Sequence, residues 1–213
     1  RAQTSDEVWD GSVASSFGGG SGTQGAPYLI SNGAELAKLA NGVTDYSGKY
    51  FKLTADIVLN NTEGWETWNE KTENLNVWTS IGDASRQFRG IFDGNGHTVK
   101  GVYINDNSMY RGLFGYVLSG TIKNLQVAES FIKGDSRVGG VVGYMSGGTL
   151  EGCFNSAKVS GSNMHVGGIC GYGAGNFINC GNSGDVDGRY AEACGGIVGY
   201  IPSSSSSEAT NCF

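Results

Sequence analysis

VGGVVGY, at Val138–Tyr144, reads as a short apolar strand framed by glycines, and it returns. VGGICGY occupies Val166–Tyr172 and CGGIVGY occupies Cys194–Tyr200, with a looser copy, RGLFGY, at Arg111–Tyr116. The shared frame places Gly112, Gly140, Gly168 and Gly196 at steps of 28 residues, and Gly115, Gly143, Gly171 and Gly199 at the same step. A period of about 20 to 50 residues marks a solenoid, a propeller or an array.

Working outward, the segments between the frames are short and rich in β-branched and aromatic residues. GTIKNLQV from Gly120, GTLEGCF from Gly148 and NFINCGN from Asn176 predict short strands separated by tight turns. Glycine at this density disfavours a helical solenoid, at about 1 kcal/mol per site. A propeller blade needs longer strands and about 40 residues or more. A unit of 28 residues instead suits one coil of an all-β parallel β-helix, a β-solenoid whose coils stack ~4.8 Å apart.

In such a stack each residue lies over its counterpart one coil away. The glycine columns predict positive φ or close backbone approach at a corner. Leu113, Val141, Ile169 and Ile197 predict an inward apolar column, and Tyr116, Tyr144, Tyr172 and Tyr200 an aromatic one. FNSAKVSG at Phe154–Gly161 matches GNSGDVDG at Gly181–Gly188 with a spacing of 27. That match stacks Val159 on Val186 and predicts an amide ladder from Asn155 and Asn182. Towards the N-terminus, HTVKGVYI (His97–Ile104) is read as parallel to GTIKNLQV, and GIFDG (Gly90–Gly94) as parallel to GLFGY. YFKLTADIVLNN (Tyr50–Asn61) reads as an earlier, worn coil.

Composition excludes several classes. There are 37 glycines among 213 residues but no Gly-X-Y period, so collagen is out. The net charge of −6, without a basic cluster, argues against nucleic-acid binding. No apolar run approaches the ~18 residues of a membrane span. The opening RAQTSDEVWDG is not a charged-then-apolar signal sequence, which predicts none or one already removed.

Two segments break the repeat. SNGAELAKLANG predicts a capping helix near 32–42, with Asn32 as N-cap, Glu35 completing a capping box, and Leu36, Leu39 and Val43 on one face. It would cover the open end of a β-helix spanning 27–213, after a turn-rich or flexible lead-in at 1–26. The C-terminal end shows no such cover, which predicts either a continuation past Phe213 or a covering partner. The second break, near 60–80, is a polar insertion carrying Trp65, Trp68 and Trp78 with Glu63, Glu66, Glu70 and Glu73.

The ordered string VWDGS, PYLISNGAELAKLA, GKYFKLTADIVLNN, WTSIG, FRGIFDGNGHTVKGVYI and GLFGY…GTIKNL…VGGVVGY resembles bacterial surface proteins with the GLUG motif, over nearly the whole chain. The resemblance implies a right-handed parallel β-helix or β-roll, exported to the cell surface or beyond it, often in anaerobic gut bacteria and often as a lipoprotein. Proteins of this kind are commonly regarded as adhesins, and similar repeats accompany the catalytic domains of IgA-cleaving proteases. No general catalytic motif comes with it. Here the repeats read GLFG, GVVG, GICG and GIVG, so only the glycine frame and the apolar middle are kept.

An enzyme on this scaffold would need facing carboxylates roughly 5–10 Å apart, or a metal-holding cluster. Asp93, Asp106, Asp135 and Asp185, with His97 and His165, are the candidates, and they read as solvated turn residues in no common column. Cys153, Cys180 and Cys212 fall in one column, a geometry slightly wide for a disulfide and unsuited to tetrahedral zinc. With Cys170 and Cys194 they read as small buried free thiols. The glutamates match no calcium-loop pattern, and nothing calls for a metal or cofactor.

The expectation is therefore a non-catalytic surface protein that binds a host or matrix glycan or protein. Trp65, Trp68, Glu66 and Glu70 are the candidate contacts, while Trp78 is expected to fold back onto the first coils. For Trp65 and Trp68, an exposed platform and a cover over the coils are equally compatible with the sequence. The alternatives are a carbohydrate-active enzyme and a passive stalk displaying another domain. The sequence leaves oligomeric state open.

Overall fold

The computed structural model describes residues 7–213. The chain winds into a parallel β-solenoid whose strands stack coil on coil. The longest ladder runs Tyr28–Ile30, Tyr50–Leu53, Ile91–Asp93, Phe114–Lys123, Val142–Glu151, Cys170–Ile178 and Val198–Tyr200, every pair parallel. A second ladder joins Ile57–Val58, Thr98–Lys100, Gln126–Ala128, Phe154–Asn155 and Gly181–Asn182. A third joins Tyr103–Asn105, Phe131–Gly134, Lys158–Gly161 and Val186–Asp187, and a fourth joins Val138–Gly139, His165–Gly167 and Ala193–Gly195.

The repeat of the sequence is the register of the sheets. Val142 pairs with Phe114 on one side and Cys170 on the other, and Cys170 pairs with Val198, each a step of 28 residues. An irregularity between Ser146 and Thr149 then lets Leu150 face Phe177, a step of 27, which accounts for the shorter spacing of Val159 over Val186. Leu113, Val141 and Ile169 are fully buried, as are their neighbours Phe114, Val142 and Cys170. Two successive residues face inward because the chain turns a corner there: Val141 and Val142 both donate their N–H to the Ile169 carbonyl.

The frame glycines serve close approach, since none has positive φ. A Cβ on Gly143 would lie 2.6 Å from both Arg111 N and Arg137 O, backbone atoms that cannot yield. Gly140 and Gly168 leave room for the side chains of Asn155 and Asn182. Those two amides form the expected ladder, Asn155 Nδ2 donating to Asn182 Oδ1 at 2.8 Å. The rest of the interior is apolar columns such as Phe51, Phe92, Ile122, Leu150 and Phe177, each worth about 1.5–3 kcal/mol on burial.

Two of the sequence registers need correction. GIFDG lies over GTIKN rather than GLFGY, with Phe92 facing Ile122, and HTVK lies over LQVA, with Val99 facing Val127. The true counterpart of GLFGY is the WTSIG piece, because Ile81 bridges Phe114. The similar spelling of GIFDG and GLFGY is misleading because both are a glycine, an aliphatic residue and a buried phenylalanine, set at different places in the coil. The earlier coil at Tyr50–Asn61 is where the sequence put it, with Ile57 beside Val99.

The N-terminal end is closed. The helix Gly33–Asn41 is capped by Asn32 Oδ1, which accepts from Glu35 N at 3.0 Å, while Glu35 Oε2 accepts from Ser31 N at 2.7 Å. Leu36, Leu39 and Val43 fill the end of the core. The lead-in seals the sheet edges: Gly18 and Gly19 pair antiparallel with Leu29, and Trp9 N donates to Val58 O at 2.8 Å. At the other end Tyr200, Cys194 and Phe213 are exposed.

Candidate functional site

The insertion between Asn60 and Trp78 is a flap laid over the outside of the third ladder. Asn60 closes its base, donating from Nδ2 to Asn76 O at 2.9 Å and Gly101 O at 2.8 Å, while its Oδ1 accepts from Asn76 N. Trp68 is the anchor. It is only 6% exposed and meets Tyr103 edge-on at 6.0 Å, and Tyr103 stacks on Phe131 at 5.7 Å. The Tyr103 hydroxyl donates to the flap carbonyls of Asn69 and Thr72. Trp68 thus belongs to the covering layer, and it does not form an exposed platform. Of the four candidate contacts, Glu66 and Glu70 are exposed and Trp65 is half-buried.

Trp65 is half-buried, and Lys158 Nζ stands 5.6 Å from its ring centroid while donating to the Glu66 carbonyl. Glu66 and Glu70 are exposed, and Glu70 pairs with Lys133 at 3.2 Å. The flap is therefore pinned by side chains from three successive coils: Tyr103, Lys133 and Lys158. Trp78 folds back as expected, 3% exposed, with Nε1 donating to Leu113 O at 3.1 Å.

A second aromatic face lies where the first ladder, which carries its tyrosines, adjoins the fourth. Tyr116, Tyr144, Tyr172 and Tyr200 form a column with centroid spacings of 4.5, 4.7 and 5.4 Å, edge-on, stacked and tilted in turn. A parallel column, Tyr110, Arg137 and His165, interdigitates with them. Tyr110 contacts Tyr116 and Tyr144, the Arg137 guanidinium lies 5.3 Å from Tyr144 and 5.8 Å from Tyr172, and His165 stacks on Tyr200 at 4.5 Å. The glycine frame brings the two columns together, because the segments carrying Tyr110 and Arg137 press directly on Gly143. Tyr110 and Arg137 hold left-handed backbone (φ 61° and 57°), a strain that this packing sustains. Arg137 Nε and His165 Nδ1 are the two buried side-chain polar atoms without a hydrogen-bond partner among the described residues. The tyrosine column was legible as a repeat; Tyr110 and Arg137 were not, because they occupy the same place in successive coils with different residues.

At the head of this zipper is a pocket of about 230 Å³ lined by Trp78, Ser80, Gly82, Asp83, Asp106 and Arg111. Arg111 Nε donates to Asp106 at 2.9 Å and Arg86 pairs with Asp83 at 2.8 Å. Burial works against ionising Asp83 and Asp106, but the arginine and backbone hydrogen bonds outweigh it and hold both carboxyls below the usual range. Neither is raised in the way a general acid near neutral pH requires. The other acidic candidates are dispersed. Asp93 caps the turn at Asn95, His97 contacts Asp56, Asp135 accepts from Ser136 and Ser162, and the Asp185 carbonyl accepts from Val159 N.

All five cysteines are free, and the column of Cys153, Cys180 and Cys212 is as read. Its hydrogen bond with Cys180, together with burial, pushes the Cys153 thiol up, and burial does the same to Cys170. Cys194 is exposed and Cys212 half-exposed, so the reading of five buried thiols holds for three.

The fold and its surface define a parallel β-solenoid with two aromatic faces on its outside. No known protein family matches the chain. Among curated proteins, a "Putative Gly-rich membrane protein" of Evansella cellulosilytica is 33% identical over 126 residues, 56% of this chain. Halomucin of Haloquadratum walsbyi is 30% identical over 127 residues, 59% of this chain. The matches span 13% and 1% of those relatives' own lengths. Among solved structures, a "putative immunoglobulin A1 protease" from Bacteroides ovatus superposes with a TM-score of 0.60 at 22% identity, over 92% of this chain and 70% of that one. At that identity the likeness is one of fold. No helix among the described residues is long and apolar enough to cross a membrane.

Proposed function

We propose that the chain is part of a non-catalytic cell-surface protein that binds a host or matrix glycan or protein. The observation that carries this reading is the flap: Trp68 anchors it, while Glu66, Glu70 and one edge of Trp65 face outward on a scaffold of stacked coils. Loops held on regular scaffolds are where binding residues concentrate. The membrane designation of the Evansella relative and the resemblance to GLUG-motif surface proteins support a place at the cell envelope, with export and lipid anchoring as further parts of the proposal. In the same reading, the lead-in expected at 1–26, of which 1–6 lie outside the described residues, seals the sheet edges over 7–26, and 27–213 is the solenoid proper. Hydrolase chemistry is the less favoured reading, because the pocket lined by Asp83 and Asp106 holds both carboxyls below the usual range.

The test is a glycan and matrix-protein array probed with the protein and with a Trp65→Ala, Glu66→Gln variant, with released sugars assayed in the same wells. Trp68 stays untouched so that the flap stays closed. Binding that weakens in the variant, without product release, is the expected result. Product release would place the protein among carbohydrate-active enzymes, and equal binding by the variant would remove the flap from the interface.

A further inference from the structure

The tyrosine zipper and the pocket at its head carry an inference that does not depend on the flap. Pocket and zipper are contiguous: a Cβ on Gly115 would meet the backbone of Gly82, in the pocket, and lie 2.8 Å from Tyr110 O, in the zipper. Arg111 lines the pocket and directly follows Tyr110. Together they form one strip running along the solenoid axis.

The chemistry of the strip is specific. Within the column Tyr144 and Tyr172 stack face to face, Tyr116 meets Tyr144 edge-on and Tyr200 is tilted against Tyr172, so the rings are largely engaged with one another. Tyr116, Tyr144 and Tyr172 are half-exposed and Tyr200 is 40% exposed, which leaves a row of phenols at one per coil. Burial, followed by the neighbouring phenols, raises Tyr144 and Tyr172 above the ordinary tyrosine value, so they remain neutral hydroxyls. Between them sits the Arg137 guanidinium, while Arg137 Nε and His165 Nδ1 are buried beside the column without a hydrogen-bond partner. The pocket adds two ionised carboxylates and a guanidinium, planar groups suited to pairs of adjacent hydroxyls.

Periodicity selects between partners. An extended peptide rises ~3.3 Å per residue, so its same-side groups recur about every 6.6 Å and fall out of step with coils ~4.8 Å apart. A pyranose ring linked through its anomeric carbon and O4 spans close to one coil. We infer that this strip binds an extended, uncharged β-linked glycan along the solenoid axis, one ring per coil, with its terminal ring in the Asp83–Asp106–Arg111 pocket.

The experiment measures binding of linear β-1,4-linked gluco-, manno- and N-acetylglucosamine oligosaccharides of two to six rings to the 213-residue protein by calorimetry, alongside immobilised deglycosylated laminin. Affinity for at least one series is expected to climb with each ring to about the number of coils in the strip. A Tyr144→Phe, Tyr172→Phe variant keeps the stacked rings and loses two hydroxyls. It should weaken that binding roughly tenfold while its thermal midpoint stays unchanged. Trp65→Ala should leave this binding intact, which separates the strip from the flap. Length-independent binding, no binding by any series, unchanged affinity in the phenylalanine variant, or binding to the deglycosylated protein alone would each overturn the inference.

Discussion

The tryptophan flap and the tyrosine zipper are built from similar side chains on the same stack of coils, yet one is covered and the other is bare. The zipper arises from the repeat. Each ring finds a partner one coil away, and the adjoining column of Tyr110, Arg137 and His165, itself part of the coils, packs between the rings, so no inserted segment covers them. Tyr103 and Phe131 also stack, but the next coil places Lys158 at that position, and the column ends. The apolar surface left there is covered by the inserted segment, through Trp68. A periodic aromatic protects itself, whereas an aperiodic one needs a lid.

That contrast can be broken at several points. Trp68→Ala should have the largest effect, removing about 3 kcal/mol or more from the packing of the flap. Hydrogen exchange should then show amides of residues 61–76 unprotected, with those of the tyrosine ladder unchanged; equal loss in both would mean the flap is not a separate unit. Gly143→Ala attacks the zipper from below, where its new methyl meets two backbone segments. A loss of about 3 kcal/mol in denaturant melts is expected, accompanied by a changed tyrosine near-UV signal. Arg137→Ala removes the cation shared by Tyr110, Tyr144 and Tyr172 and should cost about 1–2 kcal/mol. Arg137→Lys should recover part of this and no more, because an ammonium does not stack as a guanidinium does.

The smallest effect is pH dependence. Burial, then the Arg137 charge, hold His165 below its ordinary value, with Glu192 opposing. The unfolded chain then takes up a proton near pH 6.5 that the folded chain resists. Stability should be full above that pH and decline as pH falls through it towards the folded value. His165→Gln should flatten this part of the urea-midpoint profile, and an unchanged profile would remove His165 as its source.

Much of the fold was legible because a solenoid turns sequence period into spatial contact. The glycine frame, the apolar column through Val141, the asparagine ladder and the shortened step of 27 were all on the page as repeats. The first coils were misregistered because GIFDG and GLFGY share a spelling for different places in the coil. Arg137 and Tyr110 escaped because a column whose members differ leaves no repeat to find. Trp68 could not be resolved because the insertion has no counterpart in other coils.

What the sequence by itself determined is the axial order of the repeating coils from Gly112 onward: which residue lies above which, since parallel pairing at a near-constant period keeps every apolar column inside in only one register. What only the tertiary structure decided is the lateral order. Where each corner bends sets which columns meet around the coil, and so brings Arg137 between the tyrosines, Asp83 beside Asp106, and Trp68 down onto Tyr103.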